Sequence, residues 1–170
     1  MSETEQQQIF ENWLGQYKAL IFKIVRAYTF DAMDRDDLFQ EIVIQVWRSI
    51  LTFRNESSPS TWIYRISLNT AIKWVKTERR QNELRSAPDA VQHVLQESTL
   101  PIDEQLAWLY KEIYTFDEID RCITILLLDG LSYREMATIL GITESHVGVK
   151  INRIKKQLIV KSKKFEYHGI

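Results

Sequence analysis

The sequence predicts an all-α protein, and three observations carry that prediction. Only 5 glycines and 3 prolines occur in 170 residues, too few for a chain folded through many hairpin turns. Apolar residues recur at helical spacing almost everywhere, and sustained period-2 alternation is absent. The stretch from Gln81 to Pro101 holds Pro88, Pro101, Ser86, Ser98 and Thr99 with few aromatics, and it divides the pattern in two. The expected architecture is two small helical domains, residues 1–80 and 102–165, joined by a flexible linker over 81–101 and followed by a tail at 166–170. Hydrophobic residues at 45% and aromatics at 11% are enough for a core, so wholesale disorder is excluded.

In the first domain, Ile9 to Phe30 reads as an amphipathic helix with Ile9, Trp13, Tyr17, Leu20, Ile21, Ile24 and Tyr28 on its apolar side. Asp31 to Asp37 is a charged, helix-initiating turn. The next helix runs through Leu38, Ile42, Val46 and Ile50, with Trp47 beside the stripe, and its other face begins with Asp37, Gln40 and Glu41. A loop from Phe53 to Pro59 leads to Ser60, the expected N-cap of a helix reaching Arg80. Along that helix Arg65, Asn69, Lys73, Lys76 and Arg80 step by four, four, three and four, which makes one polar, mostly basic stripe. Trp62, Ile63, Ile66 and Trp74 supply apolar contact elsewhere on it. A basic stripe flanked by aromatics suits the phosphate backbone and unstacked bases of single-stranded DNA. At this point an ordinary amphipathic surface helix remains the open alternative.

The second domain reads as four helices. The first spans about Asp103 to Ile113, and Thr115-Phe116-Asp117-Glu118 matches a capping box for the second, which ends at Asp129-Gly130. Ser132-Tyr133-Arg134-Glu135 is another capping box and opens a short helix to Leu140. Gly141 then makes a tight turn, and Thr143 caps a long last helix. Ala137, Gly141 and Val147 meet the requirements of a helix-turn-helix: a small residue for close approach, a glycine for the turn and an apolar seat for the second helix. The last helix should bury Val147, Ile151, Ile154 and Leu158. That leaves His146, Val149, Lys150, Arg153, Lys156 and Gln157 on faces available to DNA.

The charge pattern agrees. The formal net charge is only −1, from 22 Lys+Arg against 23 Asp+Glu. Yet Ser145 to Phe165 carries seven cations, Lys150, Arg153, Lys155, Lys156, Lys161, Lys163 and Lys164, and no acid. Asp103 to Glu144 just upstream is rich in acids. Lys161 and Lys163 read as sequence-independent phosphate contacts.

The motifs taken together resemble a known family. Asp36-Asp37-Leu38-Phe39-Gln40-Glu41 followed by Val46-Trp47-Arg48 is similar to region 2.2 of the extracytoplasmic-function (ECF, group IV) sigma factors. Phe53-Arg54 and Ser60 to Asn69 are similar to their regions 2.3 and 2.4, and Asp129 to Ala137 with the helix beyond is similar to region 4. The resemblance runs over nearly the whole chain in the family's order. It implies a promoter-specificity subunit of bacterial RNA polymerase, with region 2 in residues 1–80 and region 4 in 102–165.

Carried over residue by residue, the resemblance gives Asp37, Gln40 and Glu41 to the clamp helices of the largest polymerase subunit. It gives Arg65, Asn69, Lys73, Lys76 and Arg80 to the minus-10 element. Asn69 would lie beside a flipped base, in a pocket formed by the loop Phe53 to Ser60. His146, Val149, Lys150, Asn152, Arg153 and Lys156 would lie on the minus-35 helix, in a domain that docks on the β flap. The implied partners are core RNA polymerase, promoter DNA and an anti-sigma factor. Two departures stand out: Gly148 replaces a frequent basic residue, and the family's usual Leu-Pro is absent around Tyr114-Thr115-Phe116.

The alternative reading is a stand-alone helix-turn-helix regulator, for which the acidic Asp37/Gln40/Glu41 face and the basic Arg65–Arg80 stripe are not needed. An enzyme is not expected. His93, His146 and His168 lie far apart without metal-ligand spacing, and no Gly-rich phosphate loop occurs. Asp34, Asp36 and Asp37 lack a cation-loop pattern and read as helix-start acids. Cys122, the single cysteine, sits among Ile119, Ile123 and Leu126 as a core residue and excludes a disulfide framework. No metal or cofactor is expected. Met1 to Gln8 has no apolar signal region and the longest apolar run is Ile125 to Leu128, so a cytoplasmic protein without membrane insertion is expected.

Overall fold

The computed structural model describes residues 2–84 and 103–167, with side chains over 2–78 and 103–164. Residues 85–101 of the expected linker, 168–170 of the tail, His93 and His168 lie outside the described residues. The elements of the described residues are all helices, with no strand among them, and the chain divides into two compact units, Met1–Asp103 and Glu104–Ile170.

The first unit is built from α1 (Glu3–Tyr28), α2 (Ala32–Ser49) and α3 (Pro59–Leu84), each packed on the other two. The predicted stripes of the first two helices meet in its core, with Trp13, Ile21, Ile24 and Tyr28 from α1 and Leu38, Ile42 and Val46 from α2. Helix α3 adds the expected Ile63 but also Leu68 and Ala71, while Trp62, Ile66 and Trp74 are half-buried. Aromatic contacts fix the corners. Phe10 meets Trp47 edge-on at 5.2 Å, and Phe53 lies between Trp13 at 5.0 Å and Trp62 at 5.6 Å.

The ends of these helices differ from the sequence expectation in ways that local chemistry explains. Helix α1 begins two turns earlier than Ile9, because Ser2 and Glu5 form a capping box: Ser2 Oγ accepts from Glu5 N at 3.2 Å and Ser2 N donates to Glu5 Oε2 at 2.7 Å. The extension brings Gln6 into the interior, where its Nε2 donates to Trp47 O at 3.0 Å. Residues 32–37 are already helical, capped by Asp31, which accepts from Asp34 N at 2.8 Å. Ser58, not Ser60, caps α3. Its Oγ accepts from Thr61 N at 3.2 Å and its carbonyl from Trp62 N at 3.1 Å, and Pro59 takes the first helical position, where its fixed φ and missing N–H cost nothing. The loop before α3 is therefore shorter than Phe53 to Ser60, and Asn55 turns it with φ 57°.

The second unit comprises α4 (Glu104–Tyr114), α5 (Glu118–Leu128), α6 (Tyr133–Leu140) and α7 (Glu144–Tyr167). Its core is Ile113, Phe116, Cys122, Ile123, Leu126, Met136, Ile139, Val147, Ile151 and Ile154, with Leu158 half-buried. The expected Thr115 capping box is not formed. Thr115 Oγ1 donates back to Glu112 O at 2.7 Å, and Asp117 caps α5 by accepting from Asp120 N at 2.8 Å. Buried Arg121 donates to Tyr114 O at 2.5 Å and Phe116 O at 3.1 Å, closing the α4–α5 turn. The other punctuation is as expected. Gly130 and Gly141 take φ 76° and 69°, and Ser132 and Glu135 form their capping box. Thr143 Oγ1 accepts from His146 N at 3.1 Å.

Candidate nucleic-acid interface

In the first unit the polar faces of α2 and α3 converge. Asp37, Gln40 and Glu41 from α2 and Asn69 and Lys73 from α3 line one groove of about 830 Å³, so residues nominated for two different partners share one cleft. Glu41 is held by Gln45, whose Nε2 donates to Glu41 Oε1 at 2.8 Å. Arg48, Trp74, Thr77 and Glu78 also line the groove. Periodicity along one helix could not have identified those four, because the groove exists only once two helices pack. Of the remaining stripe residues, Lys76 is exposed and Arg65 half-buried, and neither lines the groove. Arg80 has its side chain outside the described residues.

At the start of α2, burial pushes the Asp34 carboxyl up from 3.8 to about 6, reinforced by Asp31, Glu78 and Asp37. A carboxyl with a raised folded-state pKa stabilises the fold most at low pH and loses that contribution as pH rises through about 6. The contribution of Asp34 should therefore increase as pH falls from neutrality towards 4. Asp34→Asn should flatten that slope and add about 1 kcal/mol at neutral pH, allowing for solvent screening. Urea denaturation across this pH range checks it; parallel pH profiles for the two proteins would contradict it.

In the second unit, α6, Gly141 and α7 form the helix-turn-helix. Ala137 is half-buried at the close approach, Gly141 N donates to Ala137 O at 2.9 Å, and Val147 is fully buried as the seat of α7. His146, Val149, Asn152, Lys156 and Gln157 are exposed, with Val149 the most open of the large apolar residues of α7 at 67%. An apolar side chain left that open on a recognition helix is available to a thymine methyl.

Lys150 and Arg153 do not stand free as the helical wheel suggested. Lys150 Nζ is 2.9 Å from Asp120 Oδ1 and 3.6 Å from Asp117 Oδ2, and its side chain is only 15% exposed. Arg153 Nη2 donates to Asp120 Oδ2 and, at 3.3 Å, to Asp117 Oδ2. Burial pushes the Asp117 carboxyl up, but the Asp120 N–H and the two cations more than offset this and hold it below its usual range. Lys161, expected to be a free phosphate contact, donates to Glu112 Oε2 at 2.5 Å and lies over the Phe116 ring. The cause is the same in each case: acids of α4 and α5, 30 to 49 residues away in sequence, come to lie against α7.

Gly148 has a packing partner. A Cβ there would lie 3.5 Å from the Tyr133 ring, an ordinary contact, in a helix that glycine weakens. Gly148→Ala should raise stability by up to about 1 kcal/mol. Thermal unfolding tests this, and a lowered midpoint would mean that Tyr133 needs the space.

A three-helix unit with a polar groove and a four-helix unit carrying a helix-turn-helix are the arrangement expected of a two-part DNA-binding protein. Residues 13–81 match the family model for sigma-70 region 2, and residues 104–158 match that for sigma-70 region 4. The chain is 33% identical over 138 residues to the ECF RNA polymerase sigma-E factor of Haemophilus influenzae, covering 74% of this chain and 72% of that protein. It is 27% identical over 164 residues to the factor of the same name in Escherichia coli, covering 89% and 85% respectively. Two solved structures share the fold. One is CnrH in complex with the cytosolic domain of CnrY, with TM-score 0.68, 19% identity and coverage of 93% of this chain and 90% of that one. The other is the sigma factor RpoE of Bartonella quintana in complex with the anti-sigma factor NepR, with TM-score 0.69, 17% identity and coverage of 89% and 94%.

The chain belongs to the ECF sigma factors of RNA polymerase. It is a sigma subunit, in a family of non-catalytic promoter-recognition factors. Among the described residues no helix is long and apolar enough to cross a membrane, and no group of acids, histidines and cysteine is arranged to hold a metal ion.

Proposed function

We propose that the two units divide promoter recognition between them, in the cytoplasm and only in association with core polymerase. On the α2 wall of the groove, Asp37, Gln40 and Glu41 meet basic residues of the clamp helices in the largest polymerase subunit. On the α3 wall, Asn69 and Lys73 take the minus-10 strand, assisted by Arg65, Lys76 and Arg80 further along the helix. An exposed amide offers a donor and an acceptor to one base edge, and the cations neutralise phosphates. Extruding a base costs a few kcal/mol, which these contacts offset. The second unit docks on the β flap and presents His146, Val149, Asn152 and Lys156 to the minus-35 major groove.

The observation that carries this reading is the shared groove, into which α2 brings Asp37, Gln40, Glu41 and Arg48 and α3 brings Asn69, Lys73 and Glu78. A regulator acting alone has no use for such a pairing of surfaces. An anti-sigma factor is a further partner, supported by the neighbour that is itself bound to one. A gel shift with and without core polymerase tests the proposal. The shift of promoter DNA should require the polymerase, whereas tight duplex binding by the protein alone would favour a stand-alone regulator.

A further inference from the structure

We propose that Asp117 and Asp120 form a carboxylate clamp that seats the recognition helix, and that Arg153 and Lys150 are positioning residues in it rather than DNA-reading ones. The inference rests on the minus-35 reading of α7 given above. Asp120 is the pivot. Its side chain is 4% exposed, and a buried carboxylate is tolerated only when paired. Its partners come from two consecutive turns of α7, Lys150 on one oxygen and Arg153 on the other. Gripping two turns at once fixes both the rotation of α7 and its position along its axis relative to α5. The buried Val147, Ile151 and Ile154 add apolar contact to this seating.

Asp117 completes the clamp. It lies within 3.3 Å of Arg153 and 3.6 Å of Lys150, and it also caps α5, so the anchor is tied to the backbone of the helix it anchors to. Only Nη2 of Arg153 is engaged, and the side chain is half exposed, but Nη2 is one arm of the fork that bidentate recognition of guanine requires. With that arm committed to Asp120, base readout falls to the exposed residues of the helix, His146, Val149 and Asn152, with Lys156 on phosphate.

The proposal makes an unusual sign prediction. Taking a negative charge away from a DNA-binding face ordinarily strengthens DNA binding. If the acids seat α7, removing one weakens it. The variants are Asp117→Asn, Asp120→Asn, Arg153→Ala, Arg153→Lys and Lys156→Ala, each measured as holoenzyme on a panel of minus-35 sequences at several salt concentrations. Asparagine caps a helix as well as aspartate does, so Asp117→Asn tests the clamp without removing the cap. Circular dichroism reports whether Asp120→Asn folds; where it does not, Asp117→Asn and the Arg153 pair decide.

The expected results are weaker binding by Asp117→Asn, at least about tenfold weaker binding by folded Asp120→Asn, and near-complete rescue by Arg153→Lys of what Arg153→Ala loses. The salt slope should be unchanged by Arg153→Ala and lowered by about one unit by Lys156→Ala. Tighter binding by Asp117→Asn, loss of preference at a single minus-35 position in both Arg153 variants, or a salt slope lowered by Arg153→Ala would each overturn the clamp while leaving the minus-35 reading intact. A wild-type holoenzyme that binds every minus-35 sequence alike would overturn both.

Discussion

Replacing Asp37 and Glu41 together by lysine should abolish binding to core polymerase. The two acids sit one helical turn apart on α2, on the side away from Leu38, Ile42 and Val46, and they line the open groove rather than the core. On the proposed docking to basic clamp helices, each reversal would exchange an attraction for a like-charge contact, which costs several kcal/mol. Two such contacts amount to a loss of at least about a thousandfold in affinity. The fold should survive, because neither side chain is buried and Asp31, the cap of α2, is untouched. Circular dichroism and the affinity for fluorescently labelled core polymerase measure the two halves of this statement. A folded double variant that binds normally would remove the polymerase from this face.

Asn69→Ala should leave polymerase binding intact and impair promoter opening. Asn69 is exposed on α3 and lines the groove beside Lys73, away from the buried Leu68 and Ala71. Losing a side chain that bonds a base edge typically costs about 1–3 kcal/mol, which is roughly 5- to 150-fold in the opened fraction. Permanganate footprinting of the melted minus-10 strand reads it directly. Lys73→Ala should instead weaken capture of all sequences together, since a phosphate contact carries no base information. Unchanged opening by Asn69→Ala would make that residue structural and the groove something other than a minus-10 pocket.

What could be read from the sequence was what local chemistry determines. The Ser132–Glu135 capping box, the left-handed Gly130 and Gly141, and the buried Val147, Ile151 and Ile154 of α7 follow from spacing within one or two helical turns. Errors at helix ends were of the same local kind: Ser58-Pro59 outcompeted Ser60, and Asp117 outcompeted Thr115, because a proline at the first helical position and a carboxylate cap are the stronger signals. The Ser2–Glu5 box was present in the sequence as well, ahead of the first apolar residue.

Pairing across distance was not legible. Nothing in the helical wheel of α7 indicates that Asp120 and Glu112 lie against it, so Lys150, Arg153 and Lys161 read as free cations. The groove shows the same limit. Asp37 and Asn69 each stood out on its own helix, but only the packing of α2 on α3 brings them to one cleft.

The most direct test of the whole account is transcription. Core polymerase should be incubated with genomic DNA, with and without this protein, and the transcript starts sequenced. With the protein present, new starts should appear downstream of sites that share two elements at fixed spacing, and they should be weakened by Asn69→Ala. Starts unchanged by the protein would contradict its assignment as a promoter-specificity subunit working through these two units.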